Sequence, residues 1–157
     1  MTNYSFTSDW SFEAPIEPVW NAITHPLEWP DWWPGVEQVD ELKPGGEDGR
    51  GGIHRSIWRS ALPYRLTFDS TVTRLERFRI YEIEASGQLD GHGLWTFDTD
   101  GPVTRVRYDW NVVANKFWMR FLAPIARPLF RWNHDVIMRW GQDGLAARLK
   151  GSKGLQV

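Results

Sequence analysis

The hydrophobic periodicity of this chain changes once along its 157 residues, and this change constrains the fold more than any other feature. From residue 3 to about residue 114, apolar residues alternate with polar ones in short runs that end at Gly-, Pro- and Asp-rich turns. Such alternation is typical of β-strands with one buried face. Beyond about residue 129, apolar residues recur every three to four positions, as on one face of a helix. The sequence therefore predicts an α+β chain in which a sheet is followed by one long helix.

The alternating part predicts seven strands of an antiparallel sheet. The first is Asn3–Phe12, in which Tyr4, Phe6 and Trp10 share one face. Turns are predicted at 44–49, 90–91 and 100–101, where Gly, Pro and Asp cluster. The remaining strands are predicted at 36–42, 52–60, 62–72, 78–89, 93–98 and 104–113.

Two short helices are expected between the first and second strands. Pro15 stands where the first turn of a helix tolerates proline, and apolar residues follow at helical spacing as far as Ile23. This helix should stop at His25-Pro26. The segment 28–35 contains three Trp and two Pro, too much proline for a long element and too much apolar surface for an exposed loop. It predicts a second short helix or a turn.

The C-terminal third predicts a helical turn at 115–122, capped by Asn115, and then a long helix to about Leu149. Pro124 and Pro128 are expected to break or kink the chain between this helical turn and the long helix. About 21 helical residues span about 31 Å, close to the ~33 Å of a ten-residue strand, so the helix can cross the sheet. Its apolar stripe is predicted to contain Leu129, Phe130, Val136, Ile137 and Trp140.

One polar residue, Asn133, lies near the middle of this apolar stripe. A buried amide without a hydrogen bond costs about 1 to 3 kcal/mol, so Asn133 should have a partner. That partner is predicted to be either a ligand or a carbonyl of the sheet. Gly141 and Gly144 border the same stripe and leave room for a close approach.

Composition and charge exclude several classes of function. A formal net charge of -2 argues against a nucleic-acid partner, because such proteins concentrate Lys and Arg. The absence of cysteine and the presence of only four His argue against disulfides, thiolate chemistry and a metal site, and no cofactor is expected. No leader-like segment or membrane-length apolar run occurs, so a cytoplasmic location is expected. No linker divides residues 1–157, which should form one domain, as a monomer or a homodimer.

The chain contains 11 tryptophans, an unusually large number for its length. Aromatic side chains pack cores, but their faces also line pockets for flat apolar ligands. Both interpretations of the tryptophans remain open at the level of the sequence.

The sequence contains several short motifs at positions where side chains are expected to pack in the core or the backbone to turn. They are Ala14-Pro15, Val19-Trp20, Trp33-Pro34, Leu62-Pro63-Tyr64, Gly87, Gly93 with Trp95, Trp132-Asn133-His134-Asp135 and Gly144-Leu145. With the order of elements, they make nearly the whole chain resemble the START-like superfamily, also called SRPBCC, which includes the birch-pollen allergen. The resemblance is more specific to its polyketide cyclase/dehydrase-like branch. It implies a helix-grip fold, in which a curved seven-stranded antiparallel sheet wraps a long C-terminal helix around a cavity. The motifs contain no catalytic signature.

The strand patterns predict which side chains face that cavity. Pairing Arg55 with Asp69 across a hairpin would place opposite charges on the solvent face and turn His54 inward. The opposite register would turn Arg55 and Arg59 inward, and it remains open because a one-residue slip reverses a strand. The predicted ligand-binding residues are His54, Trp58, Leu66, Phe68, Trp95, Tyr108, Trp110, Asn133, Ile137 and Trp140.

A few further side chains are assigned roles around the cavity. Three tryptophans are predicted to cap one end, either as a packed lid or as a mobile gate: Trp29, Trp32 and Trp33. The candidates for catalysis are His54, Tyr64 and Tyr108, each of which also fits a purely structural role. His134 lies on the flank of the apolar stripe, which favours a position at the surface or between packed helices.

Three functions are compatible with the sequence and the resemblance. The first is binding of a small hydrophobic or aromatic molecule, polyketide- or lipid-like, in the cavity. The second is a polyketide cyclase or dehydratase activity on such a molecule. The third is association with a membrane surface or a protein partner, through the apolar and basic residues Trp118, Arg120, Phe121, Leu122, Arg127 and Arg131. The shortage of inward titratable groups favours binding over catalysis.

Overall fold

The computed structural model describes residues 3–114 and 123–154. Strand β1 (Asn3–Phe12) is followed by helix α1 (Ile16–Ile23), a 3₁₀ turn (Pro26–Glu28) and the short helix α2 (Trp29–Trp32). The later elements are β2 (Val36–Lys43), β3 (Ile53–Arg59), β4 (Arg65–Glu76), β5 (Ile80–Gly87), β6 (Leu89–Asp100), β7 (Val103–Ala114) and helix α3 (Ala123–Gly154). The predicted α+β architecture, with its helix-grip order of elements, is confirmed.

All seven strands form one antiparallel sheet in the order β1-β7-β6-β5-β4-β3-β2. Strands β1 and β2 are adjacent in sequence but lie at opposite edges, so α1, the 3₁₀ turn and α2 connect the two edges. All of β1 pairs with β7, from Asn3 opposite Val113 to Phe12 opposite Thr104. Register shifts interrupt the β2–β3 and β4–β5 pairings, and such irregularities bend a sheet. The curved sheet leaves a concave face for α3.

Helix α3 packs against β1, α1 and α2. Trp33, which follows α2, donates its indole N–H to the carbonyl of Ile137 on α3 at 2.9 Å. The predicted close approach is confirmed, because a Cβ at Gly141 would lie 2.6 Å from the Trp33 ring and one at Gly144 would overlap the Trp32 carbonyl oxygen. The buried hydrophobic residues of α3 are Phe130, Met138, Leu145 and Leu149.

The start and the phase of α3 differ from the sequence prediction. Leu129, predicted to lie on the inner stripe, is 47% exposed, because the buried face of the helix begins at Phe130. The helix runs through both Pro124 and Pro128, so of the predicted break or kink, the break does not occur. A proline beyond the first turn removes the hydrogen bond to the carbonyl four residues earlier, and its ring crowds that carbonyl. The predicted helical turn at 115–122, with its Asn115 cap, lies outside the described residues.

The reversal between β5 and β6 occurs at Gln88 and not at the predicted turn 90–91. Gly87 precedes it with a φ of +118°, a conformation that is strained for residues with a side chain. Gly91 lies inside β6 opposite Val112, where a Cβ would collide with the Asn111 carbonyl oxygen. The turn predicted at Asp90-Gly91 is therefore wrong. The glycine of this pair does not form a turn but permits two strands to approach closely.

Candidate functional site

A cavity of about 110 Å³, called here the large cavity, lies between the concave face of the sheet and α3. Most of its wall consists of aromatic rings and aliphatic side chains. The lining residues are Tyr4, Phe6, Trp29, Trp33, Trp58, Tyr64, Leu66, Phe68, Leu89, Trp95, Tyr108, Trp110, Val112, Phe130, Asn133, His134, Ile137 and Met138.

The described residues of the large cavity wall include no ionised side chain. Among the lining residues that the structure describes there is no Asp, Glu, Lys or Arg. An ionised molecule entering this space would lose its hydration without gaining a counter-charge, at a cost of several kcal/mol. The interior therefore suits an uncharged molecule.

The volume of the large cavity limits the size of what it can hold. An engineered apolar cavity of about 150 Å³ accommodates benzene. A space of about 110 Å³ therefore corresponds to roughly one ring. A molecule with several fused rings would have to displace side chains of the wall.

Trp33 lies at the centre of one end of the large cavity and is only 1% exposed. Its ring centroid is 5.0 Å from that of Trp58, 5.2 Å from Trp29 and 5.3 Å from Trp10. Trp32 stacks on Trp33 at 5.4 Å and is buried, but it does not line the cavity. Of the three predicted cap residues, Trp29 and Trp33 reach the cavity and Trp32 supports Trp33 from behind.

Three indole N–H groups at this end have fixed acceptors, whereas Trp32 Nε1 is buried without a partner among the described residues. Trp33 bonds to α3 as described, Trp29 donates to the carbonyl of Ile23 at 3.1 Å, and Trp58 donates to Ser56 Oγ at 2.9 Å. Each bond opposes rotation of its ring. The arrangement is that of a packed cap rather than of freely rotating side chains.

Most of the predicted binding residues lie on the wall of the large cavity. They are Trp58, Leu66, Phe68, Trp95, Tyr108, Trp110, Asn133 and Ile137, and the catalytic candidate Tyr64 lies there too. Trp140 does not: it is only partly buried and packs over Gly35. Trp140 is therefore not among the predicted residues that the structure brings to this wall.

Tyr108 and Trp95 form a flat part of the wall. Their rings stack with centroids 4.0 Å apart and planes inclined by 16°. Gly93 makes room for them, since a Cβ there would lie 2.8 Å from the Tyr108 hydroxyl oxygen. Burial raises the pKa of Tyr108 well above its usual value, so the phenol stays protonated at neutral pH.

The predicted pairing of Arg55 with Asp69 is confirmed by the register of β3 and β4 and by a hydrogen bond of 2.8 Å from Arg55 Nε. His54 therefore faces inward, and the alternative with Arg55 and Arg59 inward is wrong. His54 does not reach the large cavity, however. It lines a separate space of about 30 Å³, called here the small cavity, which has room for about one water molecule.

The two cavities are separated by aromatic side chains that line both of them: Trp29, Trp58, Phe68, Trp95 and Tyr108. Behind this partition, His54 Nδ1 has no hydrogen-bond partner among the described residues. Burial lowers the pKa of His54, and Glu41 partly opposes this shift. His54 is thus not among the residues that line the large cavity.

Asn133 connects α3 to the segment before β4. Its side chain is 4% exposed, Oδ1 accepts a hydrogen bond from the backbone N–H of Ala61 at 3.1 Å, and Nδ2 donates to the Tyr64 hydroxyl at 3.3 Å. The structure thus identifies a backbone amide and a phenol as its partners, instead of the sheet carbonyl considered from the sequence. Burial raises the pKa of Tyr64 to about 12, and the bond from Asn133 partly opposes this.

Sequence reasoning missed one side of the cavity, formed by β1 and the first turns of the inward face of α3. The missed lining residues there are Tyr4, Phe6, Phe130, His134 and Met138. A signal was present: Tyr4 and Phe6 share a face of β1, and residues 130, 134 and 138 are spaced four apart on a helix. The contact between the two elements could not be read from either pattern alone.

His134 is packed inside this side of the cavity and not at the surface. Its side chain is 12% exposed and stacks on Phe6 with ring centroids 4.4 Å apart. Burial, with a smaller contribution from Arg131, lowers the pKa of His134 to about 4, so the imidazole is neutral at pH 7. Its Nδ1 atom is buried and has no hydrogen-bond partner among the described residues.

Tyr4 resembles His134 in this respect. Its ring is buried and contacts Phe6 at 6.0 Å and Phe130 at 5.5 Å, while its hydroxyl has no hydrogen-bond partner in the described part of the chain. Burial raises the pKa of Tyr4, and Arg127 partly opposes the shift. The hydroxyl is therefore uncharged at neutral pH.

Neither a metal-binding cluster nor a membrane-spanning helix occurs in residues 3–114 and 123–154. No three His, Asp or Glu side chains there lie close enough together to hold a metal ion. None of the helices described there is long and apolar enough to cross a membrane.

Comparison with known families and structures places this geometry among related folds. Residues 4–150 match the model of a family described as polyketide cyclase / dehydrase and lipid transport. No curated protein matches the sequence. Among solved structures, the Zhui aromatase/cyclase from Streptomyces sp. R1128 has a TM-score of 0.77 at 16% identity, with 94% of each chain covered.

Two other solved structures extend the comparison. A START superfamily protein from Mycobacterium smegmatis has a TM-score of 0.75 at 14% identity, covering 94% of this chain and 97% of that one. The protein Ara h 8.0201 has a TM-score of 0.61 at 9% identity, covering 92% and 99%. At sequence identities of 9 to 16%, these similarities show a shared fold and nothing about function.

Proposed function

Because the chain belongs to the polyketide cyclase/dehydrase and lipid transport family, we propose that its large cavity binds a small, uncharged, hydrophobic or aromatic molecule. The observation that carries this proposal is the wall itself, which consists of stacked rings and aliphatic side chains without an ionised group among the described lining residues. Such walls release water when a flat apolar molecule enters and offer ring faces to it.

The second candidate function is a cyclase or dehydratase reaction in the same cavity. It is favoured by the fold similarity to an aromatase/cyclase and by three tyrosines on the wall, Tyr4, Tyr64 and Tyr108. General acid–base catalysis is most efficient when the pKa of the catalytic group lies near the working pH. The pKa values of Tyr64 and Tyr108 are raised and that of His134 is lowered, in each case away from neutrality. Binding is therefore the stronger proposal.

The association of the chain with a membrane surface or a protein partner stays a prediction. Four of its six residues, Trp118, Arg120, Phe121 and Leu122, lie outside the described residues. Of the other two, Arg127 donates to the Asn3 carbonyl at 2.9 Å and Arg131 lies over the Phe6 ring at 5.8 Å. Both guanidinium groups thus have contacts within the protein.

Binding can be measured directly by titrating the protein with toluene, a probe of one apolar ring, using calorimetry. A blocking variant, Leu66→Trp, places an indole in the large cavity, and the matched variant Leu42→Trp makes the same change at an exposed residue of β2. We expect Leu66→Trp to weaken toluene binding at least tenfold and Leu42→Trp to leave it unchanged.

Two outcomes would contradict the proposal: no toluene binding by the wild-type protein, or equal binding by both variants. Native mass spectrometry of the purified protein adds an independent check, because a molecule that copurifies should be lost in Leu66→Trp and kept in Leu42→Trp. If the cavity is instead catalytic, Tyr64→Phe should slow turnover of a poly-β-keto analogue without weakening its binding.

A further inference from the structure

The small cavity is lined by a larger share of polar side chains than the large cavity. Its hydroxyl-bearing lining residues are Ser56, Ser70, Tyr81 and Tyr108, and its described lining includes no Asp, Glu, Lys or Arg. Ser56 and Ser70 face inward from β3 and β4, where a hydroxyl without a good partner is unfavourable. The hydroxyl groups around this space therefore need hydrogen-bond partners.

The two serine hydroxyls make only long contacts as donors within the protein. Ser56 Oγ accepts the Trp58 indole N–H at 2.9 Å, but its own proton reaches only the Phe68 carbonyl at 3.5 Å. The contact of Ser70 Oγ with the His54 carbonyl is also 3.5 Å long. Hydrogen bonds between two oxygen atoms usually span about 2.5 to 3.0 Å. Both hydroxyls therefore keep the capacity for a shorter bond.

The hydroxyls of Tyr81 and Tyr108 provide two more polar atoms. Among the described residues neither hydroxyl has a hydrogen-bond partner, and neither is closed off from free space as the Tyr4 hydroxyl is. Both side chains lie deep in the core, so the free space that they meet is an internal cavity. Tyr81 lines the small cavity and not the large one, whereas Tyr108 lines both.

The packing directs the Tyr108 hydroxyl towards the small cavity. The Tyr108 side chain crosses β6 at Gly93, where a Cβ would lie 2.8 Å from the hydroxyl oxygen. Gly93 pairs with Ile83 of β5, which lines the small cavity and not the large one. Burial raises the pKa of Tyr108, and Tyr81 raises it further, as expected for two phenols that lie near each other. The two tyrosine hydroxyls thus converge on the same space.

The two serines lie close enough to share one small guest. Ser56 is opposite Phe68 in the β3–β4 pair and Ser70 is two residues further along, so the serines are diagonal neighbours on one face. The Cβ atoms of such neighbours are up to about 7 Å apart. One water molecule with two bonds of about 2.8 Å bridges oxygen atoms separated by about 5 Å. His54 Nδ1 is closed off from free space and takes no part in this arrangement.

We propose that the small cavity binds one structural water molecule, held by the hydroxyls of Ser70, Tyr81 and Tyr108 and within reach of Ser56. A buried water needs a space of about 10 to 15 Å³ and two to four polar partners. The small cavity, at about 30 Å³, meets both conditions. Because Tyr108 also lines the large cavity, the water engages its hydroxyl behind the partition and leaves the ring face to the ligand.

A crystal structure of the unmodified protein tests the site directly. We expect one peak of electron density in the small cavity, within about 3.2 Å of Ser70 Oγ and of at least one of the two tyrosine hydroxyl oxygens. A small cavity without density, or a peak that none of these atoms contacts, would overturn the water site. Toluene binding by a protein with an empty small cavity would leave the proposed function intact.

Two matched variants test the site in solution. Ser70→Val replaces the hydroxyl with a methyl group and adds a second methyl group that occupies the cavity, whereas Ser86→Val makes the same change at an exposed residue of β5. Water ¹⁷O relaxation dispersion counts long-lived internal water molecules. We expect Ser70→Val to lose one relative to the wild-type protein and Ser86→Val to lose none. Equal counts in all three proteins would contradict the site, and the crystal structure decides the question even if Ser70→Val does not fold.

Discussion

The two sides of the large cavity differ in how their polar atoms are satisfied. Around Trp33, indole rings contact one another, and the N–H groups of the cavity-lining Trp29, Trp33 and Trp58 reach fixed acceptors. Only Trp32, behind the wall, has a buried indole nitrogen without a partner among the described residues of this cluster. Where β1 meets α3, Tyr4 and His134 each have a buried polar atom without a partner among the described residues. The first side contributes stability, whereas the second side retains hydrogen-bonding capacity at a cost in stability. This division is expected where a binding site is built into a core.

The largest effect should follow from removing the ring at the centre of the packed side. Trp33→Ala leaves a void among several indoles and removes the bond to α3, so we expect a loss of about 3 to 5 kcal/mol in the free energy of unfolding. Urea denaturation measures it. Trp132→Ala, at a half-exposed tryptophan of α3, is the control and should change stability by less than about 1 kcal/mol. A small effect at Trp33 would mean that the packed side does not carry the stability assigned to it.

The contact of α3 with α2 predicts the next largest effect. Gly144→Ala forces a methyl group against the Trp32 carbonyl, so the two helices must separate, and we expect a loss of about 3 kcal/mol. Gly151→Ala makes the same change on the same helix with no atom within 4 Å. There we expect a gain of roughly 0.5 to 1 kcal/mol, because alanine favours the helix. Similar unfolding midpoints for the two variants would contradict the close packing.

The polar side should make stability depend on pH through His134. The pKa of His134 is about 4 in the folded protein, below the usual value near 6.5, so the unfolded chain binds more protons between these pH values. Stability therefore falls as the pH falls through this window, by about 2 kcal/mol between pH 7 and pH 5. Burial of His54 acts in the same direction.

His134→Phe isolates this contribution, since carboxylates and His54 titrate in both proteins. Its urea midpoint should depend less on pH than that of the wild-type protein between pH 7 and pH 5. Parallel pH profiles would show that His134 is not buried in its neutral form.

The smallest effect tests the cost of the unsatisfied hydroxyl. Tyr4→Phe removes a buried polar atom that has no partner in the described part of the chain and keeps the ring, so we expect stability to rise by up to about 1 kcal/mol. Tyr64→Phe, which removes the acceptor of the Asn133 amide, should instead lower it by about 1 kcal/mol. Destabilisation by both substitutions to the same extent would remove the contrast between these two hydroxyl groups.

Much of the sheet could be predicted from the sequence because alternation reports directly on strand faces. The bounds of β1 and α1 agree with prediction, and the charge pair of Arg55 and Asp69 identified the register of β3 and β4. These features depend on residues that are close in sequence or on a local hairpin.

The remainder depends on contacts that a local pattern does not contain. The polar residue His134 faces inward because Phe6, from a strand at the far end of the sequence, packs on it. His54 faces inward as predicted, yet the partition formed by Trp58, Phe68 and neighbouring rings separates it from the large cavity. Exposed Leu129 shows that the phase of α3 follows the shape of the sheet rather than its own hydrophobicity.

The pairing of the first strand with the last also sets an order of events during synthesis on the ribosome. Strand β1 emerges first, but its partner in the sheet, β7, follows some 100 residues later. At about 5 to 20 residues per second, the aromatic face of β1 waits for roughly 5 to 20 s before its partner strand exists. The cavity can close only after nearly the whole chain has been translated, so the nascent chain passes through a period in which Tyr4, Phe6 and Trp10 are open to chaperones and to other chains.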